Sequence, residues 1–362
     1  MPIETIAAVA RPAADEFSWE TVILDDPGPG EVLVRLVAAG VCHTDLSVLA
    51  GRLPTPLPAV LGHEGAGVVE AVGPGVTTAA VGDRVVLSFA SCGACPRCRT
   101  GRPTQCPSYF PLNFGARRPD GTTPLRDRSG QPIGGLFFGQ SSLARYAVAS
   151  QHSVVPVDAA DEDELAMFAP IGCGIQTGAG AVLNLLRPPP GSRVAVIGAG
   201  AVGLSAVMAA RLCGAAEIVA VDRVPARLGL ARELGATATT DRAEELCDVD
   251  YLLETTGVPR LLEAALGQIR AGGTVAVIGA PAAGTRIAVD VNAMIDGRTL
   301  LGVTEGGSDR ITFIPALIAL YRAGRLPLDR LVRFYPPTEL RRAVQDARSG
   351  STVKPVIRFE AP

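Results

Sequence analysis

The chain has 362 residues, of which 48% are hydrophobic, and this length predicts about two domains with sizeable cores. Its formal net charge of −3 excludes the basic surface that nucleic acids or anionic membranes require of a partner. The sequence has no signal-like start and no apolar run of membrane-spanning length, so we expect a cytoplasmic protein. Its eight cysteines should then stay reduced and serve metal binding or catalysis.

The first part of the chain predicts a largely antiparallel, barrel-like β domain. Runs of β-branched and apolar residues alternate with Gly/Pro clusters, as at residues 31–37, 67–72, 82–87 and 146–149. Residues 113–135 are charged and rich in glycine and proline, and they predict a long exposed loop.

Cys42 and His63, in this first part, are potential metal ligands. A thiolate and an imidazole are ligand types that select zinc. Cys173 offers a third ligand, and three protein ligands with an open fourth position are typical of catalytic zinc. Taken alone, Cys42 and His63 also fit a buried thiol and a core histidine, and the rest of the chain favours the metal. A hydroxyl and two carboxylates that could act on a metal-bound group lie beside them: Thr44, Asp45 and Glu64.

Four further cysteines follow in the spacing C-x2-C-x2-C-x7-C: Cys92, Cys95, Cys98 and Cys106. Four thiolates in this spacing can enclose one tetrahedral structural zinc. An iron–sulfur cluster is the alternative that the same ligand set permits. Four unrelated thiols in so short a stretch are disfavoured, because cysteine is rare in chains of this kind.

Beyond residue 161, strands alternate with helices, which predicts a doubly wound parallel sheet. A buried strand at 193–197 leads into the G-x-G-x-x-G motif of Gly198, Gly200 and Gly203, and an apolar helix follows. In this context the motif predicts a dinucleotide whose pyrophosphate meets the helix N-terminus.

An acidic residue, Asp222, ends the next predicted strand. A carboxylate there can accept both hydroxyls of the adenosine ribose and repels a 2′-phosphate, which favours NAD over NADP. The adjacent Arg223 is the complication, because an arginine could tolerate that phosphate.

The predicted domains are residues 1–172, with a cysteine lobe at about 91–107, then residues 173–304, and a return to the first domain in residues 305–362. The last segment contains predicted helices at 311–321 and 340–347 and a final strand at 356–359.

Together these features resemble the zinc-dependent medium-chain alcohol dehydrogenases, and the resemblance runs nearly end to end. The segment Gly62-His-Glu-x-x-Gly67, with Gly73 and Val76, is similar to the zinc signature of that family. The resemblance implies an α/β fold, with a GroES-like β-barrel catalytic domain and a Rossmann cofactor domain of doubly wound parallel sheet. It also implies an active site in the cleft between them, NAD as cofactor and two zinc ions per chain.

The resemblance implies roles for the residues at matching positions. Cys42, His63 and Cys173 would bind the catalytic zinc, and the four cysteines of the lobe the structural zinc. Glu64 is similar to a carboxylate that can exchange onto the catalytic metal, and Asp45 to the acid that orients His63. Thr44 resembles the hydroxyl that receives the substrate proton.

The resemblance also implies which residues contact the cofactor. Thr177 falls where the nicotinamide is contacted, and Lys354 where a basic residue meets the diphosphate. The implied cofactor contacts are His43, Thr177, Gly198, Gly200, Val202, Gly203, Asp222, Arg223, Arg227, Val277 and Lys354.

One position departs from the family pattern. Many members carry a histidine five residues after the first cysteine ligand, where this chain has Ser47. The usual proton exit from Thr44 is therefore incomplete, and water or His43 must complete it. The alternative for His43 is an ordinary surface residue.

Within the family, residues 171–182, 138–142 and 302–306 look most like aryl (benzyl) alcohol dehydrogenases and their relatives that act on terpene alcohols. Four residues are candidates for an apolar substrate pocket, which would suit a hydrophobic primary alcohol: Leu46, Leu53, Phe89 and Ala280. The alternative for each is ordinary core packing.

Other functions remain open at this level. They are a dehydrogenase of thiol adducts (hydroxymethylglutathione type) or of short aliphatic alcohols, a zinc-free reductase of the superfamily and a non-catalytic NAD-binding protein. The ligand set argues against the last two. The resemblance further suggests a homodimer or homotetramer, in which residues 297–303 could pair as an edge strand across a symmetric interface.

Overall fold

In the computed structural model, the described residues are 2–360. The strands are β1 (Ile3–Ala10), β2 (Ser18–Leu24), β3 (Glu31–Gly40), β4 (Ala59–Val60), β5 (Gly65–Val72), β6 (Arg84–Leu87), β7 (Leu125–Asp127), β8 (Pro132–Ile133), β9 (Tyr146–Ser150), β10 (Val154–Pro156), β11 (Arg193–Ile197), β12 (Glu217–Val221), β13 (Ala238–Thr240), β14 (Val249–Glu254), β15 (Ile269–Val277), β16 (Thr299–Gly302), β17 (Val332–Tyr335) and β18 (Lys354–Arg358). The α-helices are α1 (His43–Leu49), α2 (Pro96–Arg99), α3 (Tyr109–Phe114), α4 (Glu162–Phe168), α5 (Gly174–Gly180), α6 (Ala201–Leu212), α7 (Pro225–Leu234), α8 (Pro259–Gln268), α9 (Asn292–Ile295), α10 (Arg310–Arg322) and α11 (Leu340–Ser349).

The chain divides into two compact units. Unit 1 holds the residues up to Cys173, Asp309–Ile318 and the residues from Leu328 onward, and unit 2 holds Gly174–Ser308 and Ala319–Pro327. Cys173 is thus the last residue of the first segment of unit 1, whereas the sequence analysis placed it in the second domain. The C-terminal segment also divides, because Ala319–Pro327 groups with unit 2.

Unit 1 is built from two sheets. One has the strand order β4-β1-β2-β7-β8, and the other has the order β10-β6-β5-β3-β18-β17, with β9 also paired to β3. The strand pairs are antiparallel except β17 with β18. Along β3 the alternation of side chains buries Val32, Val34 and Leu36 in one core cluster. Arg35 points the other way and pairs with Glu70 and Glu162.

The prediction of a long exposed loop at residues 113–135 is wrong. Strands β7 and β8 lie inside it and extend the first sheet, with β7 paired to β2. Leu125 and Ile133 are buried in the core. The Oδ1 of Asp127 accepts the backbone N–H groups of Ser129 and Gln131, which stabilises the turn between the two strands. The apolar residues are few, so composition concealed the hairpin.

Unit 2 contains a six-stranded sheet in the order β13-β12-β11-β14-β15-β16. All of its neighbouring strands are parallel, as the alternation of strands and helices predicts. Strand β16 is at one edge of this sheet. Within the part of the chain that the structure describes, no single helix is long and apolar enough to cross a membrane.

Candidate metal and cofactor sites

Three strand ends of unit 1 bring the predicted ligands together. Gly40 ends β3 two residues before Cys42, and its N–H donates to the carbonyl of Glu64, the residue that precedes β5. Strand β18 begins at Lys354 and pairs Val356 with Gly40. A side chain at residue 40 would collide with Glu64, since a Cβ there would lie 2.0 Å from Oε2. The glycine therefore allows the close approach of these strands.

The potential ligand atoms of Cys42, His63, Glu64 and Cys173 lie within 4.8 Å of one another. Cys42 and Cys173 are partly and fully buried, and His63 is 0% exposed. These are the residues that the sequence analysis proposed for a catalytic metal, and the structure brings all of them together in unit 1.

Asp45 fixes the orientation of His63. The ring nitrogen Nδ1 lies 2.9 Å from Asp45 Oδ1, and the carboxylate also accepts the N–H groups of Gly62 and Cys42. Asp45 is the third residue of α1 and Cys42 is its N-cap, so the same carboxylate caps the helix. Asp45 accepts these bonds, which keeps a proton on Nδ1 and leaves Nε2 as the nitrogen available to a metal.

The unpaired Nε2 of His63 shows whether the residues present fit a metal. This nitrogen is buried and has no hydrogen-bond partner among the residues described. Leaving such a group unsatisfied costs about 1–3 kcal/mol. An imidazole nitrogen of this kind beside two thiols is a ligand set that suits zinc, so the residues present fit the metal.

Electrostatics favour a thiolate at Cys42 and a protonated imidazole at His63. The hydrogen bond with Cys173 lowers the pKa of Cys42 well below its ordinary value despite burial, and the charge of Lys354 adds to the effect. Burial alone would lower the pKa of His63, but the charges of Asp45 and Cys42 raise it well above its ordinary value. The metal-free site therefore holds a proton on the imidazole that a bound cation would replace.

Lys354 lies in unit 1 and forms a buried ion pair with Glu64. Lys354 is 3% exposed, and its ammonium donates to Oε1 and Oε2 of Glu64 at 2.8 and 2.9 Å. Burial lowers the pKa of Lys354, but the charge of Glu64 outweighs this and raises the pKa above its ordinary value. No local sequence pattern indicates this ion pair, and a contact of Lys354 with a cofactor diphosphate stays a prediction.

Thr44 and His43 lie at the start of α1, next to Cys42. The Thr44 Oγ1 is 3.9 Å from the Cys42 Sγ, and the residue is half-buried, whereas His43 is exposed. Ser47, one turn later, is buried and accepts a hydrogen bond from Arg52 Nη2 at 3.3 Å. The Thr44 hydroxyl therefore lies beside the ligand set, and residue 47 has a hydroxyl in place of the imidazole of many family members.

The four cysteines of the lobe also converge, with their sulfurs within 4.8 Å of one another. Backbone N–H groups point at these sulfurs, for example Cys95 N to Cys92 Sγ and Cys98 N to Cys95 Sγ, both at 3.4 Å. Backbone hydrogen bonds from Ala94 and Cys95 lower the pKa of Cys92 to about 6. The lobe thus presents a thiolate at neutral pH and a closed set of four sulfur ligands, which fits a structural zinc.

In unit 2 the glycine motif forms the predicted turn between β11 and α6. Gly198 has φ +98°, a conformation that side chains disfavour, and Gly200 is the N-cap of α6. A Cβ on Gly203 would lie 1.7 Å from the Gly198 carbonyl oxygen. The glycines therefore allow the tight turn between β11 and α6, and phosphate binding at the first turn of α6 stays a prediction.

Asp222 follows β12 and is held by two backbone groups. Its Oδ2 accepts the N–H of Ala199 at 2.8 Å and its Oδ1 that of Val224 at 2.9 Å. Arg227 Nη1 lies 4.0 Å from Oδ2, and Arg223 is exposed. The carboxylate is thus fixed next to the glycine turn, where a ribose is expected.

The other predicted cofactor residues lie in unit 2 as well. Thr177 is 8% exposed, and its hydroxyl lies 3.3 Å from Oε2 of the buried Glu305, a residue that the sequence analysis did not single out. Val202 is in the first turn of α6 and Val277 ends β15, and both are partly exposed.

The proposed pocket residues fall in different places. Leu53 and Phe89 belong to one apolar cluster that also contains Phe137 and Phe138. Leu46 packs into another core cluster of unit 1, and Ala280 is an exposed residue of unit 2. The ring of Phe138 stacks on His63 with 4.6 Å between centroids. In the sequence, Phe138 contributes only to the family resemblance, because residue spacing does not indicate its stacking contact with His63.

Two family models match the chain: the alcohol dehydrogenase GroES-like domain at residues 28–159 and the zinc-binding dehydrogenase domain at residues 201–320. The chain belongs to the zinc-dependent medium-chain alcohol dehydrogenase family. It is an alcohol oxidoreductase of the EC 1.1.1 type that uses zinc and a nicotinamide cofactor. The predicted fold, family and enzyme class are confirmed.

Similar proteins cover the whole chain. It is 42% identical to the geraniol dehydrogenase of Castellaniella defragrans, over 99% of this chain and 98% of that protein. The structure of an alcohol dehydrogenase zinc-binding domain protein from Burkholderia ambifaria is 48% identical, with a TM-score of 0.95 over 100% of both chains. The benzyl alcohol dehydrogenase structure from Acinetobacter calcoaceticus is 42% identical, with a TM-score of 0.93 over 99% of this chain and 100% of that one.

Proposed function

We propose that the chain oxidises hydrophobic primary alcohols of the aryl (benzylic) or allylic terpene type with NAD, and reduces the aldehydes in the reverse direction. The observation that carries the proposal is the convergence of Cys42, His63 and Cys173, with the unpaired His63 Nε2 among the two thiols. The similarity to a geraniol dehydrogenase and to a benzyl alcohol dehydrogenase supports the substrate class.

The surroundings of His63 support an apolar substrate. Phe138 stacks on its ring and Phe137 meets it edge-on at 5.6 Å, and both belong to the apolar cluster that includes Leu53 and Phe89. A site of this composition offers few polar partners to a substrate, so binding should come mainly from burial of apolar surface. A glutathione adduct, with its charged groups, would gain little from these side chains.

Cys42, His63 and Cys173 would hold the zinc, which supplies polarisation of the alcohol oxygen while bound NAD accepts the hydride. Thr44 then takes the substrate proton, since its hydroxyl lies beside Cys42 and is half-buried. From Thr44 the proton leaves through water or the exposed His43, because Ser47 has no basic group.

Two charged residues keep this arrangement in place. Asp45 holds the Nδ1 proton of His63 and so leaves Nε2 free for the metal. Lys354 binds both oxygens of Glu64, which keeps that carboxylate from competing permanently with the substrate for the open position. Glu64 remains within 4.8 Å of the ligand atoms and could exchange onto the metal.

We further propose NAD rather than NADP, a second zinc at the four cysteines and a homo-oligomer. Asp222 is a fixed carboxylate that accepts ribose hydroxyls and repels a 2′-phosphate. Edge strand β16 carries the exposed Leu300, and the exposed Val291 and Ile295 lie near it in sequence. An unpaired apolar edge of this kind suits a symmetric interface with a second copy.

The decisive experiment is an NAD-reduction screen on protein whose zinc has been counted. Benzyl alcohol, geraniol, ethanol and S-hydroxymethylglutathione would be compared by kcat/KM, each with NAD and with NADP. We expect benzyl alcohol or geraniol with NAD to give the highest values. A preference for ethanol or the glutathione adduct would overturn the substrate class, and a preference for NADP would overturn the role of Asp222.

A matched pair of variants tests the ligand set. Cys42→Ser should lose one zinc per chain and nearly all activity while still binding NAD, because it removes a thiolate ligand. Cys213→Ser alters a partly buried thiol of unit 2 and should behave as the parent. Full zinc content and turnover in Cys42→Ser would contradict the assignment.

A further inference from the structure

Residues 137–143 pack around the segment that carries His63. Ser142 and Leu143 donate their N–H groups to the carbonyls of Gly62 and Leu61, both at 3.0 Å. Phe138 stacks on the imidazole from the same segment, with a positive φ of 52°. A non-glycine residue in this conformation is strained, which indicates that its surroundings hold it there.

Gln140 is the polar centre of this segment. It is 0% exposed and uses all of its amide hydrogens and its oxygen: Nε2 donates to the carbonyls of His63 at 3.1 Å and Ser88 at 2.8 Å, and Oε1 accepts the N–H of Gly65 at 3.1 Å. The partners fix which end is oxygen and which is nitrogen, since two are acceptors and one is a donor. Gln140 therefore clamps the backbone on both sides of Glu64.

The same network reaches the segment that carries Cys173. The Ser88 hydroxyl donates to the carbonyl of Gly172 at 2.6 Å. Gly172 lies against the chain of β6, because a Cβ on it would be 2.0 Å from the Leu87 carbonyl oxygen. A continuous chain of buried hydrogen bonds thus joins the backbone of His63, through Gln140 and Ser88, to the residue before Cys173.

We propose that Gln140 is a positioning residue that sets the spacing between His63 and Cys173, with Ser88 as its link to the Cys173 segment. The inference rests on the proposed ligand set. Residues that orient metal ligands through hydrogen bonds alter metal affinity when they are replaced, typically by about 10- to 100-fold. A purely structural glutamine would lower folding stability without a specific effect on the metal.

Gln140→Leu keeps most of the side-chain volume and leaves three backbone groups without their partner. Gln268→Leu is the matched control: Gln268 is a buried glutamine of unit 2 whose Nε2 donates to the Ala243 carbonyl at 2.7 Å. Both variants should lose stability, because Gln140→Leu strands three buried backbone groups and Gln268→Leu strands the Ala243 carbonyl. Ser88→Ala is the milder second variant, which removes the hydroxyl that donates to Gly172.

The measurement is zinc affinity of the full-length protein by chelator competition, with stability of the metal-free forms measured by denaturant unfolding. A His63→Ala background identifies the metal bound at the proposed catalytic ligands. We expect Gln140→Leu to weaken that metal about 10- to 100-fold, Ser88→Ala to weaken the same metal, and Gln268→Leu to leave it unchanged. With cobalt in place of zinc, the visible spectrum should change in Gln140→Leu and Ser88→Ala alone.

Wild-type metal affinity and an unchanged cobalt spectrum in both Gln140→Leu and Ser88→Ala would overturn the positioning role. If Gln140→Leu does not fold, Ser88→Ala decides by the same criterion. A parent protein whose zinc content does not depend on His63 would instead overturn the proposed ligand set, and the inference with it.

Discussion

Replacement of Asp45 by asparagine should weaken the metal at His63 while leaving the shape of the site intact. The carboxylate is fully buried and accepts three hydrogen bonds: Oδ1 from Gly62 N and His63 Nδ1, and Oδ2 from Cys42 N. Asparagine offers one oxygen and one NH2 group in the same volume. Whichever way the amide turns, an NH2 group faces at least one of these donors.

The magnitude follows from this count. A buried donor that loses its acceptor costs about 1–3 kcal/mol, and each 1.4 kcal/mol corresponds to about a tenfold change in an equilibrium constant. The amide in Asp45→Asn is also neutral, so the proton of His63 is no longer held on Nδ1 by a charge. We therefore expect zinc affinity at this site to fall by about 10- to 100-fold.

Competition with a chromophoric chelator measures this affinity, and the four-cysteine site serves as an internal reference. Asp250→Asn is the matched control, because Asp250 is a buried carboxylate of unit 2 that accepts the N–H of Arg193 at 2.7 Å. It should lower stability without changing the affinity of either metal. Equal zinc affinity in Asp45→Asn and the parent would refute the view that this carboxylate orients the ligand.

Three further substitutions test separate parts of the site. Thr44→Ala should lower kcat by about 10²- to 10⁴-fold with both metals retained, since a proton acceptor is lost; an unchanged kcat would remove its role. Lys354→Met should lower the free energy of unfolding by about 3–5 kcal/mol, because Glu64 loses its buried cation. The double variant with Glu64→Gln should recover much of this free energy. A Lys354→Met protein as stable as the parent in denaturant would count against a stabilising Lys354–Glu64 ion pair. Cys95→Ala should lose one zinc and lower Tm, whereas an undiminished zinc count would contradict a metal in the lobe.

Local sequence patterns predicted the elements whose chemistry is local. The four-cysteine spacing falls within one lobe, and the glycine motif forms one turn between β11 and α6. The parallel sheet of unit 2 followed from the alternation of strands with helices, a pattern that its strand pairing reproduces. In each case the residues that carry the signal are neighbours in the chain, so spacing alone was sufficient.

Contacts between distant segments could not be predicted in this way. Lys354 and Glu64 are 290 residues apart, and Gln140 and His63 are 77 apart. The sequence around Gln140 or Lys354 does not indicate which residue it pairs with, because pairing depends on strand register and on which face of the sheet is buried. The hairpin within residues 113–135 was missed for a related reason, since its two short strands bury only isolated apolar residues.

Register is therefore the property on which the metal site depends most. Cys42 follows β3, His63 precedes β5 and Lys354 begins β18. At the end of β3, Ala39 pairs with β5, and Ala39 and Gly40 pair with β18. A shift of one residue in either pairing would turn every side chain of that strand to the opposite face. Lys354 would then leave Glu64, and the buried carboxylate would lose the cation that offsets its burial. The ion pair thus favours the single register in which the ligands meet. Lys354 therefore contributes to forming the metal site.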